Sequence, residues 1–220
     1  MSKRVDSISL INSVPFSRAR TVAMRVLTAP ELAGRVFLEG GLVPWVVSGR
    51  DSGRMHGDVD LSVRLTDMPA VRAWLMAEGL YDATLDSLRL PCNAGFGDFG
   101  VHAVADEVLV SFCPFFFTAD GALHQRNAAL EVIDGFEALL EATVAEIAEG
   151  DFVEGRALPD GARIGCATLE GVRAAKAASR RRKDTHDIVE IDRMGFDAGR
   201  YARIAEAFEA MDIVCVAHRE

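Results

Sequence analysis

Several things are scarce in this sequence, and each shortage removes a class of protein. Aromatic residues make up 7% of the 220 positions. Their one dense group, Phe112, Phe115, Phe116 and Phe117, reads as strand and core rather than as a base-stacking platform. The four cysteines (Cys92, Cys113, Cys166 and Cys215) stand far apart and form no Cys-x-x-Cys pair. That spacing argues against a structural zinc site and suits the reduced, mostly buried thiols of a cytoplasmic protein. No apolar run approaches membrane-spanning length. Met1-Ser2-Lys3-Arg4 runs into Asp6 instead of an apolar stretch, so no signal peptide is expected. Positive charge is short as well: 24 Lys and Arg face 33 Asp and Glu, a net charge of −9. An acidic body argues against broad, sequence-independent nucleic-acid binding, which needs many phosphate contacts, although a local basic groove stays compatible with it. There is no internal repeat, no low-complexity linker and no Ser/His/Asp hydrolase signature.

Half of the residues are apolar, enough for a sizeable core in one large domain or in two lobes around a cleft. Residues 16–27 read as a helix rich in Arg, Ala and Val, and Thr28-Ala29-Pro30-Glu31 as a capping box opening a further helical turn. Residues 35–39 form a short strand ending in Gly40-Gly41, and 42–49 a short apolar helix. A second strand covers 58–65. Asp67 then caps a helix that closes at Gly79, with Met68, Val71, Trp74 and Leu75 on one face. Strands are expected near 82–90, 98–104 and 107–117, with a turn at Asp120-Gly121. Residues 136–149 suit helix or strand. A hairpin around Pro159-Asp160-Gly161 spans 156–167, and helices follow over 168–180, 184–194 and 197–210. The last carries Tyr201, Ile204, Ala205, Phe208 and Met211 on one side.

The stretch with most chemical content is Arg54-Met55-His56-Gly57-Asp58-Val59-Asp60-Leu61-Ser62-Val63. Strand side chains alternate between faces, so Asp58 and Asp60 point one way while Val59, Leu61 and Val63 enter a core. Two like charges held that close are tolerable at an exposed edge, and useful where a divalent cation sits between them. Mg²⁺ favours one or two carboxylates plus phosphate oxygens, so the pattern points to phosphoryl or nucleotidyl chemistry. Gly40 and Gly41 lack Cβ atoms and can turn successive N–H groups toward an anion. Ser48-Gly49 competes for that role. Arg54 either contacts phosphate or pairs with the acidic strand. His56 either orders the loop around the site or is a locally bonded histidine. Among the cations of 173–183, Lys176 and Lys183 either neutralise a triphosphate across a cleft or belong to a solvated helix face. Asp184 and Asp187, one turn apart, suit capping and pairing with local Arg.

Taken in order, these pieces resemble the nucleotidyltransferase superfamily of polymerase-β-type fold. The pattern is that of the lincosamide and aminoglycoside nucleotidyltransferases: a strand ending in Gly-Gly, a short helix, then a loop with Arg-x-His-x-Asp-x-Asp. Here these are Gly40-Gly41 and Arg54-x-His56-x-Asp58-x-Asp60. A distal segment, Glu170, Lys176 and Arg182-Lys183-Asp184-x-x-Asp187-Ile188, resembles an ending shared with abortive-infection type toxin nucleotidyltransferases. The resemblance covers 36–80 and 165–192. It implies an α+β fold, a nucleotidyltransferase-like mixed β-sheet with flanking helices, in a catalytic lobe over 1–134. A hairpin plus helical C-terminal lobe over 135–220 would close the cleft. It further implies Mg²⁺ on catalytic Asp58 and Asp60, and nucleotide contacts from Gly40, Gly41, Arg54, His56, Lys176 and Lys183. The activity implied is transfer of NMP from an NTP to a hydroxyl of a small molecule of antibiotic type. The alternatives are a toxin acting on tRNA or protein, and a catalytically weak nucleotide-binding homologue. Many relatives are dimers, though no strip of this sequence compels a homodimer. One departure stands out. Relatives carry a third carboxylate on a later strand, whereas Ser111 holds that position here and Cys113 replaces a following His. Glu107 shares parity with Ser111 but lies four residues off, roughly 13 Å along a strand.

Overall fold

The computed structural model describes residues 13–86, 100–117, 123–125, 141–179, 181–210 and 212–215. Strand β1 (Val14–Pro15) leads into helix α1 (Phe16–Leu27). Ala19, Val22, Ala23, Val26 and Leu27 recur at helical spacing and are buried. Arg18, Arg20 and Arg25 lie on the exposed side and pair with Glu107, Asp160 and Glu78. The capping box expected after α1 does not form. Thr28 still belongs to the last turn: its N–H and its hydroxyl both donate to the Met24 carbonyl, at 3.0 and 2.6 Å. A 3₁₀ turn at Pro30–Leu32 follows without a side-chain cap.

Next come β2 (Val36–Glu39), a 3₁₀ turn at Gly40–Leu42, helix α2 (Val43–Ser48), β3 (Met55–His56) and β4 (Asp58–Arg64). Helix α3 (Met68–Ala77) buries Met68, Val71, Trp74 and Leu75, the face expected from their spacing. The strand expected over 82–90 is, in its described half, a 3₁₀ turn at Ala83–Leu85. Asp82 caps it by accepting from the Thr84 N–H at 2.8 Å. Behind it Asp86 is fully buried, receiving Arg72 Nε and the Tyr81 hydroxyl at 2.8 Å each. Residues 87–90 and the turn at Asp120-Gly121 lie outside the described residues.

Strands β5 (Val101–Ala105) and β6 (Val108–Phe117) form a hairpin whose two turn residues, Asp106 and Glu107, both have positive φ (49° and 67°). That is the twist a two-residue hairpin needs. The chain continues through β7 (Leu123–Gln125), β8 (Glu141–Ala145), α4 (Glu149–Phe152), β9 (Val153–Ala157) and β10 (Arg163–Ala167). It ends in α5 (Leu169–Ser179), α6 (Arg182–Met194), α7 (Ala198–Glu209) and β11 (Asp212–Cys215). The stretch left open at 136–149 thus contains strand β8 and the start of α4, with 136–140 outside the described residues. Asp197 caps α7 by accepting from the Arg200 N–H at 2.9 Å.

Among the described residues nine strands join in one sheet, ordered β11-β8-β7-β6-β4-β2-β10-β9, with β5 also on β6. The pairs β4–β6 and β2–β10 are parallel and the others antiparallel. The fold is therefore α+β with a mixed sheet and flanking helices, as expected. The sheet runs through the division drawn at residues 134 and 135, since β8 to β11 pair into it. One face carries Val36, Leu38, Val59, Leu61, Val63, Val110 and Phe112 into a large core with α1, α2 and α3. The other carries Phe37 and Phe115 into a smaller cluster with Phe152, Ala174 and Ile204 of the C-terminal half.

Candidate active site

Because Val59, Leu61 and Val63 fill the large core, Asp58, Asp60 and Ser62 must lie on the opposite face. Both aspartates are half-buried and so reach solvent. Strand register brings further polar groups beside them. Glu39 stands opposite Asp60 on the β2 side, Ser111 opposite Asp60 on the β6 side, and His102 opposite Ser111 on β5. Directly opposed residues share a face with side chains about 5 Å apart, so Glu39, Asp60, Ser111 and His102 make one polar row across four strands. Ser62 donates to Glu39 Oε2 at 2.5 Å. At the other end His102 Nδ1 and Ser111 Oγ are 3.1 Å apart, both side chains buried.

The glycine turn is packed against this row. Gly40 has φ +71°, and a Cβ built on it would fall 2.6 Å from Asp60 Oδ2. Only glycine meets both conditions, a left-handed backbone and room for a carboxylate on top of it. A Cβ on Gly41 would fall 2.7 Å from Arg54 Nη2. Ser48-Gly49, the competing pair, is instead the stop of α2: Gly49 is left-handed, donates to the Val46 carbonyl at 3.3 Å and abuts Pro159.

Behind the turn lies a buried charge network. Asp187, fully buried on α6, receives Trp45 Nε1 at 2.8 Å, Arg54 Nη2 at 2.9 Å and Lys176 Nζ at 2.7 Å. Lys176 also reaches Asp184 at 3.0 Å, and Asp184 accepts from Ser179 and from Arg181 Nε. Burial pushes the Asp184 carboxyl upward, but the bonds from Ser179, Arg181 and Lys176 outweigh it and hold it down at about 2. For Asp187, burial is likewise outweighed by the bonds from Lys176 and Trp45 and by the Lys176 and Arg54 charges, which leaves the carboxyl below its usual range.

The structure thus sorts the residues singled out in the sequence. Asp58, Asp60, Gly40 and Gly41 come together. Arg54 sits beside Gly41 but spends one nitrogen on Asp187. Lys176 is buried with its ammonium on two aspartates, so it is a member of this network and not an open triphosphate contact. His56 is also corrected. It is buried, its Nε2 lies 2.7 Å from Ser52 Oγ, and its ring packs 5.8 Å from that of Phe16. Burial first, then the Arg54 charge, lowers its pKa to about 4. It is a neutral anchor for the loop, not a nucleotide ligand. The Lys183 side chain lies outside the described residues, as do Arg180, Cys92 and His218. Asp106 and Glu107, the acids near the missing third position, sit in the exposed hairpin turn facing Arg25 and Arg18. Glu39 was missed. Its one sequence signal is that it shares strand parity with the far side of the core and immediately precedes the glycine pair. Its pairing with Asp60 is a matter of strand order.

No family model matches the chain, and no curated protein matches it in sequence. Among solved structures, it is similar to the lincosamide antibiotic adenylyltransferase LnuA with lincomycin bound. Identity is 15% over 73% of this chain and 87% of that one, with a TM-score of 0.48. It is similar also to the antibiotic-resistance factor ANT(2'')-Ia, at 16% identity over 89% of this chain and 90% of that one, with a TM-score of 0.47. Both likenesses are of fold.

Proposed function

We propose that the protein is a nucleotidyltransferase that moves NMP from an NTP to a hydroxyl of a small molecule. The observation that carries this is the Gly40 turn lying in contact with Asp60 on the face it shares with Asp58. The donors there are anionic oxygens, which suit a hard ion such as Mg²⁺. Among the described residues no three His, Cys, Asp or Glu side chains are grouped to hold a metal. Two carboxylates suffice where phosphate oxygens and water complete the shell. Asp58 and Asp60 would hold the ion, which when bound neutralises phosphate charge.

The chain's own residues divide the rest of the work. Gly40 and Gly41 leave the backbone open to the triphosphate. The acceptor oxygen attacks the α-phosphorus, a new P–O bond forms, and the bond to pyrophosphate breaks with its electron pair leaving on pyrophosphate. The hydroxyl proton passes to a carboxylate of the same polar row. Glu39 is the one in register with Asp60, since the β6 side offers Ser111. The net charge of −9 favours a cationic acceptor, as in an aminoglycoside. A tRNA acceptor has less support: Arg173, Lys176 and Arg181 of the basic segment are each paired with aspartate.

Purified protein with Mg²⁺, labelled NTPs and a panel of hydroxyl-bearing antibiotics tests the proposal. Pyrophosphate release is expected with at least one acceptor, and D58N is expected to abolish it. Ser111 beside Asp60 favours one second reading, a nucleotide-binding protein with little turnover. Mg²⁺-dependent NTP binding in calorimetry without product would select it.

A further inference from the structure

Asp187 is the one carboxylate that touches both ends of the segment carrying the glycine turn, yet it has no exposed surface. Through Arg54 it reaches the turn itself: the same Nη2 that donates to Asp187 at 2.9 and 3.1 Å lies 3.3 Å from the Gly41 carbonyl oxygen. Through Trp45 Nε1, at 2.8 Å, it reaches α2, the helix that follows the turn. These contacts leave no slack, because a Cβ on Gly41 would meet Arg54 Nη2 at 2.7 Å and Asp187 Oδ2 at 3.4 Å. The carboxylate is itself held by Lys176 Nζ at 2.7 Å, from α5. One α-helical turn further along α6, Glu190 takes Arg50 at 3.1 Å, so the same helix face grips the segment again beyond α2.

We propose that Asp187 is a positioning residue for the nucleotide, acting through Arg54 to hold the Gly40–Gly41 turn in its triphosphate-binding shape. The proposal rests on the nucleotidyltransferase reading above. It differs from a direct role of Arg54 on phosphate in one respect. If Arg54 bound phosphate by itself, releasing it from Asp187 would leave or improve NTP affinity. If Asp187 and Arg54 act as one device, losing either loosens the turn and losing both adds nothing.

The test is calorimetric titration of Mg²⁺ with a nonhydrolysable NTP into wild type, D187N, R54Q and the double variant. Each single variant is expected to weaken Kd about 10- to 100-fold, as for supporting residues around other sites. The double is expected to be no weaker than the worse single. Stoichiometry should stay near that of wild type, since a purely structural defect lowers the number of competent molecules and leaves Kd alone. Unchanged Kd in D187N, multiplied losses in the double, or a fall in stoichiometry alone would each overturn the proposal. Should D187N fail to fold, Gly41→Ala carries the test. Its methyl displaces Arg54 while leaving the Lys176–Asp187 pair in place, and the same loss of affinity is expected; wild-type affinity would overturn the proposal. A wild-type protein that binds no NTP, or a D58N variant that binds as well as wild type, sinks the nucleotidyltransferase reading instead.

Discussion

At the scale of single residues, the site depends on one glycine more than on any charged group. Gly40 combines a left-handed backbone with contact to Asp60. Gly40→Ala therefore has two costs, about 1–2 kcal/mol for the backbone and a displaced Asp60 carboxylate. The expected outcome is loss of Mg²⁺-dependent NTP binding in a protein that still melts cooperatively, checked by calorimetry beside a thermal melt. Glu39 carries a separate expectation. E39Q should keep NTP affinity within a few-fold of wild type and lose turnover by about 10²–10⁴, measured as pyrophosphate release. His56 makes a prediction about pH. It is protonated in the unfolded chain below about 6.5, but in the fold only below about 4. Between those values the unfolded state binds the extra proton, so stability falls as pH falls across that window, by up to roughly 3 kcal/mol. Urea midpoints measured from pH 7 to 4 should show this slope, and His56→Gln should flatten it.

At the scale of elements, the buried ion pairs decide how helices dock. Asp184 and Asp187 have carboxyls held below their usual range, so the stability they contribute is complete above about pH 4. It is lost as pH falls through about 2, the Asp184 value. Acid unfolding should thus come in two stages, the His56 window first and the α5–α6 aspartates second. In Asp184→Asn the second stage, followed by helical circular dichroism, should shrink. On the other side of the sheet Arg72 and Asp86 are both buried and paired at 2.8 Å. Asp86→Ala leaves a buried guanidinium without its anion and is expected to cost about 3–5 kcal/mol in chemical denaturation. Helices α1, α3 and α7 were legible because their apolar residues repeat at helical spacing over three turns or so. Residues 82–86 were not, because a few alternating apolar residues suit a strand as well as a 3₁₀ turn, and the buried Arg72–Asp86 pair that selects the turn joins groups 14 positions apart.

At the scale of the whole molecule, the mixed sheet brings residues from both halves of the chain to one site. If it binds a nucleotide, Mg²⁺–NTP should raise the melting temperature, by the equivalent of about 2.7 kcal/mol at a hundred times Kd. D58N should abolish the shift in the same melt. What the sequence alone determined is local in origin. The alternation from Asp58 to Val63 required two carboxylates on one face and apolar residues on the other, because a strand has period two. The glycine pair required a turn after β2. Strand order and helix docking decided everything that depends on distance between remote segments. They set Glu39 and Ser111 on either flank of Asp60, buried Lys176 among aspartates instead of leaving it to face a phosphate, and tied Gly41 to Asp187 through Arg54. The physical reason is that alternation and turn chemistry act between neighbours in the chain. Which strand lies beside which, and which charges meet in the interior, is settled only when the two cores close around the sheet.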